Sequence, residues 1–346
     1  MMKLLPMLIL IFALAVPASA LEVQAPAVPK AGEELMPEDT SSFSDALISL
    51  LQKAVLKIRP DLAEASAVSL SLICAGMLLT ILSSFADGKN AAQIAGAVSI
   101  SGILLRNANS MIRLAADTVQ QLSDYGKLLF PVMTTALAAQ GGMTASTGLY
   151  LGTAFFSALL SSLLSGIFVP AIWLFLALAV SGAAISEDML KKIRDSVKSA
   201  LSWSLKTVLT VFTTYMSITG VVSGTTDAAA LKAAKVGFSS FVPVVGGILS
   251  DASEAVLVGA GIMKNAAGIY GILAVLSLFL GPFLRIGAHY LILKVTALVC
   301  GVFGTKSTTG LIEDFSAAMG LLLGMVGSVC LLLLIAAVCF MKGVNG

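Results

Sequence analysis

The sequence predicts an all-α, polytopic membrane protein, and three observations carry that prediction. First, 58% of the 346 residues are hydrophobic and only 12% are charged, about half the charge of an ordinary soluble domain. Second, no Asp, Glu, Lys, Arg or His occurs between Lys127 and Glu187. A helix crosses the hydrocarbon core with about 20 mostly apolar residues, so this block has room for more than one passage. Third, further apolar stretches recur along the chain, each bounded by short charged segments.

Taken in order, residues 1–20 read as a signal peptide. Lys3 precedes an apolar core from Leu4 to Val16, and Ala18-Ser19-Ala20 fits the small-x-small cleavage pattern. Cleavage after Ala20 and retention as an uncleaved anchor both export the residues beyond it. Residues 21–42 carry Pro26, Pro29 and Pro37 among Glu, Ala and Ser, a composition that buries too little to order itself, so a flexible exported linker is expected. Over 43–65 an amphipathic helix is expected, with Leu47, Leu50, Leu51, Ala54, Val55 and Ile58 at helical spacing. It could lie on the membrane, on a partner or on its own protein.

Residues 66–341 form the expected multi-span domain. Spans or half-spans are read at 66–85, 91–105, 128–140, 148–168, 169–185, 207–226, 265–284, 286–305 and 315–341, several of them short or compromised. About seven to eight crossings result at roughly 20 residues each. A second amphipathic helix runs through 106–130, with Met111, Ile112, Ala115, Val119 and Leu122 on one face. The segment 187–206 holds Lys191, Lys192, Arg194, Lys198 and Lys206 against three acids, whereas residues 21–65 hold four basic residues and eight acids. Short basic segments stay in the cytoplasm. The basic segment is therefore expected inside and the N-terminal region outside, with an odd number of spans between them.

Chemistry-bearing motifs are sparse. The sequence has no H-E-x-x-H helix, no phosphate-binding G-x-x-x-x-G-K-[ST] loop and no G-x-S-x-G elbow. His289 is the only histidine and is expected near an interface, where imidazole can snorkel or hydrogen-bond. Cys74, Cys300, Cys330 and Cys339 lie in apolar segments without C-x-x-C spacing, so each reads as a small hydrophobe. The net charge of +2 and the lack of basic runs argue against nucleic acid. No enzyme activity, cofactor or metal is expected. A stand-alone small-solute transporter is the rival reading. Lys294 is its best intramembrane candidate, and no acidic partner lies near it in sequence.

Within the stretch Phe241–Ala255, "FVPVVGGILSDASEA", the part from Phe241 to Ser250 is too short to span and is interrupted by Pro243 and Gly246-Gly247. Either a re-entrant turn or a tight turn packing two helices would accommodate it. Asp251 and Glu254 suit the start of the next helix. Gly220 and Gly224 form a small-xxx-small pattern for helix packing.

The residues around this stretch, "LKAAKVGFSSFVPVVGGILSDASEAVL" and "GIMKNAAG", resemble the stage III sporulation protein AE family of endospore-forming bacteria. The likeness extends back through "SEDMLKKIRDSVKSALSW" and, more loosely, "LLFPVMTTALAAQGG". The resemblance implies a non-enzymatic component of the mother-cell membrane around the engulfed forespore. It also implies membership of a secretion-like channel complex with other stage III sporulation A proteins, meeting stage II protein Q of the forespore. Development after engulfment would depend on that complex. Self-association into a homo-oligomer is compatible with such a role, and no catalytic residues carry over.

Overall fold

The computed structural model describes residues 25–40, 42–85, 89–139, 143–185, 188–218, 266–303 and 306–345. These are helical nearly throughout, with no strand among the described residues. A single turn of helix, α1 (Lys30–Glu33), precedes α2 (Phe43–Lys57) and α3 (Arg59–Phe85). Then come α4 (Lys89–Ala139), α5 (Met143–Leu163), α6 (Val169–Ile185) and α7 (Asp188–Ile218). The described chain closes with α8 (Ala266–Phe303) and α9 (Lys306–Asn345). Among the described residues, four helical stretches are long and apolar enough to cross a membrane: 43–81, 147–185, 268–302 and 306–341.

Several boundaries differ from the sequence reading. The stretches read as 148–168 and 169–185 form one continuous rod, because α5 and α6 are joined by a π-helical turn at Leu164–Phe168. Pro170 lacks an amide hydrogen, and the widened turn just before it absorbs the lost bond without ending the helix. Similarly, 265–284 and 286–305 merge into the 38-residue α8, which carries Pro282 internally. The stretches 91–105, 106–130 and 128–140 merge into the 51-residue α4, with Pro131 inside. Pro60 sits in the first turn of α3, where its missing amide is harmless.

Contacts gather one end of the bundle. Gly96 of α4 packs on Leu79 of α3, Gly182 of α6 on Leu190 of α7, and Gly301 of α8 on Thr309 of α9. The Ser307 hydroxyl at the start of α9 donates to Ala183 O of α6 at 2.5 Å, and Gly76 faces Cys300 and Thr308. The long helices therefore alternate in direction, with α3, α4 and the α5–α6 rod lying between the N-terminal segment and α7.

The last helix is the axis of the molecule. α9 packs against α4, α5, α6, α7 and α8, and 94% of its apolar stretch is buried, against 17% for 43–81. Helices meet closely where side chains are small. At Gly152 of α5, a methyl group would overlap the ring of Tyr215 of α7, whose hydroxyl donates to Gly148 O at 3.0 Å.

On α4, the face expected to be apolar is the face that is buried: Met111, Ile112, Ala115, Val119 and Leu122. On α2 the buried stripe is Phe43, Ala46, Leu50 and Ala54, while Leu51 and Val55 are exposed. Its register is set by packing on α8 and by two lysines reaching back to the preceding segment. Lys53 Nζ donates to Met36 O at 3.0 Å. Lys57 pairs with Glu34, and that hydrogen bond holds the Glu34 carboxyl below its usual range.

Residues 25–40, within the segment expected as a flexible linker, are packed. Val28 and Leu35 are buried, Gly32 fits against Ser277 of α8, and Tyr125 donates to Pro26 O at 3.3 Å. The few apolar residues among the prolines are placed where α4 and α8 cover them.

Candidate functional site

The residues that the sequence singles out, Gly220, Gly224, Pro243, Gly246, Gly247, Asp251 and Glu254, lie outside the described residues, as does the 1–20 signal segment. The described structure offers instead a polar seam on α8, a charged clasp between α7 and α9, and a polar stripe on α4.

The seam runs along one face of α8, where residues four and seven apart stack. Arg285 Nε lies 3.2 Å from Asp61 Oδ1, and Arg285 Nη2 donates to Glu64 Oε2 at 3.1 Å. Asp61 and Glu64 stand one turn apart at the start of α3. One turn beyond Arg285, His289 is 1% exposed, and its Nδ1 lies 3.1 Å from Asn107 Nδ2 of α4. The direction of that bond depends on the imidazole tautomer, and the second ring nitrogen is Nε2. That atom is buried and has no partner among the described residues.

Further along α8, the hydroxyls of Thr296 and Ser69 share a hydrogen bond at 2.6 Å, and Ser316 of α9 donates to Tyr290 O at 3.2 Å. The middle of α8 is thus tied to α3, α4 and α9. His289 lies inside the bundle, where its ring registers two helices. Lys294 is exposed on the outer face of α8, with no ion pair among the described residues.

The clasp joins Arg194 of α7 to Asp314 of α9, both side chains only 14% exposed. A second contact from Arg194 reaches Asp195 at 3.2 Å. The sequence marks this basic helix as a topological signal but gives no local hint of its partner, 120 residues away.

The stripe is the solvent side of the amphipathic part of α4. Arg106, Ser110, Arg113, Asp117, Gln120, Asp124 and Lys127 recur every three or four residues, and all are exposed. Asp124 accepts hydrogen bonds from Lys127 Nζ at 2.8 Å and Gln120 Nε2 at 2.9 Å.

Among the described residues, no group of three or more His, Cys, Asp or Glu side chains could hold a metal. None of Cys74, Cys300, Cys330 and Cys339 is in a disulfide, and only Cys74 is exposed. A groove of about 400 Å³ opens between α3 and α8, with Ser66, Ser69, Leu70, Leu291 and Val295 in its walls. Its lining suits an acyl chain or an apolar side chain better than a charged cofactor.

A family model described as Stage III sporulation protein AE matches residues 33–343. Among curated proteins, stage III sporulation protein AE of Bacillus subtilis (strain 168) is 21% identical over 240 residues. That match covers 68% of this chain and 60% of the relative's length. No solved structure matches the chain.

Proposed function

The chain belongs to the stage III sporulation protein AE family, and from that premise we propose that it is a non-enzymatic, multi-pass membrane component of the sporulation channel complex between mother cell and forespore. The observation carrying this reading is the family match across nearly the whole helical bundle, residues 33–343. The bundle is what a platform or conduit subunit would need. Among the described residues its core is apolar, and the polar groups of the seam and the clasp tie helices to one another. Its proposed place is the mother-cell membrane around the forespore. The other stage III sporulation A proteins would bind beside it, with stage II protein Q of the forespore reached through the assembled complex.

In this arrangement the N-terminal segment faces the intermembrane space and the basic start of α7 faces the mother-cell cytoplasm, where lysines and arginines near spans are retained. Opposite sides require α4 to cross as well as α3 and the α5–α6 rod, and the alternating helix directions support that. Reporter fusions at residues 45 and 198 are expected to give opposite signals: export-dependent activity at 45 and cytoplasmic activity at 198. The same signal from both positions would overturn the arrangement.

A further inference from the structure

We propose that the polar stripe of α4 faces a water-filled path at the depth of the bilayer, forming one wall of a conduit for hydrated polar solutes. The proposal rests on the membrane-complex reading above and adds to it which surface is wetted. Its basis is depth. Asn107 of α4 is level with His289 of α8 through their hydrogen bond, and Leu129 is level with Gly271. Gly126 meets Leu333 of α9. The stripe from Arg106 to Lys127 therefore runs beside α8 and α9 within 268–302 and 306–341, both apolar enough to span. At 1.5 Å per residue it is about 32 Å long, close to the hydrocarbon thickness of about 30 Å.

At that depth a charged side chain is tolerated inside a bundle or against water, and not against lipid. The opposite face of α4 is already filled by its neighbours, with Ala108, Met111, Ala115 and Leu122 fully buried. The stripe points outward. At and just beyond the Arg106 end of the stripe, α8 exposes apolar Leu291 and Val295, a surface suited to lipid. At that end the bundle is thus two-faced, apolar over α8 and polar over α4. A lipid-surrounded subunit needs no polar flank, whereas one wall of an aqueous path does. The lining mixes Arg106, Arg113 and Lys127 with Asp117 and Asp124, which favours polar solutes in general over ions of one sign. One helix face cannot enclose a path, so the path needs further walls beyond the described helices.

Spin labels at Ser110→Cys and Leu291→Cys test this, in the full chain with the four native cysteines replaced, purified and reconstituted in phosphatidylcholine–phosphatidylglycerol vesicles. The label at 291 is expected to relax mainly with oxygen, and the label at 110 severalfold more strongly with a water-soluble nickel chelate. Chelate access at both sites would put this level outside the bilayer. Oxygen dominance at both would put the stripe in lipid. Either result overturns the proposal. The readout needs no partner protein, so it stands or falls separately from membership of the sporulation complex.

Discussion

Deleting the gene is expected to stop spore development after engulfment, with heat-resistant spores falling to background, while vegetative growth proceeds at the parental rate. The family assignment carries this expectation. A subunit of a channel between mother cell and forespore has no task before the forespore is engulfed, so no earlier step should register its loss. Spore counts after heating, together with microscopy of engulfed forespores, read the effect directly. Normal sporulation combined with poor vegetative growth on one nutrient would instead identify a stand-alone solute transporter.

Replacing Arg194 with Ala is expected to cost more stability than removing any of the exposed lysines of α7. Asp314 would then keep its carboxylate at 14% exposure without its nearest counter-charge. Removing one partner of a buried pair costs about 3–5 kcal/mol, because the survivor is left desolvated and unpaired. Asp195 would lose its bond to Arg194 as well, but it is exposed at 58% and water can replace that bond. Lys198 also acts on Asp314, so the expected loss lies at or just below the lower end of that range, about 2–3 kcal/mol. Adding Asp314→Asn should recover most of it, since the amide needs no counter-ion. Thermal unfolding in detergent of both single variants and the double variant measures the coupling. A loss for Arg194→Ala no greater than for Lys191→Ala would show that the clasp does not hold α7 to α9.

Local periodicity made part of this fold legible. The α4 face was readable residue by residue, because Met111, Ile112, Ala115, Val119 and Leu122 repeat at helical spacing and the polar residues between them do not interrupt it. Hydropathy, in contrast, could not distinguish α3 from α9. Both are apolar, yet α3 exposes Leu70 and Leu78 while α9 is enclosed on every side, and lipid and protein interior make the same demand on a side chain. Pro170 reads as a stop because the compensating π turn leaves no signal of its own. The α2 register depended on Lys53 and Lys57 finding partners in a segment whose composition suggests no order.

The polar seam was least accessible to sequence reasoning. Asn107 and His289 are 182 residues apart, Ser69 and Thr296 are 227 apart, and each is ordinary where it stands. Lys294 was the polar residue that its sequence surroundings brought out, because it interrupts an apolar run. The stripe on α4 was visible as the polar side of an amphipathic helix. Its meaning emerged once contacts placed it beside α8 and α9.

Whether this chain acts as one member of a membrane complex is tested most directly by isolating the intact protein from sporulating cells. Solubilised in mild detergent after engulfment and identified by mass spectrometry, it should bring down other stage III sporulation A proteins, with stage II protein Q present when the forespore membrane is included. Recovery of the chain with no sporulation membrane protein beside it would contradict that role.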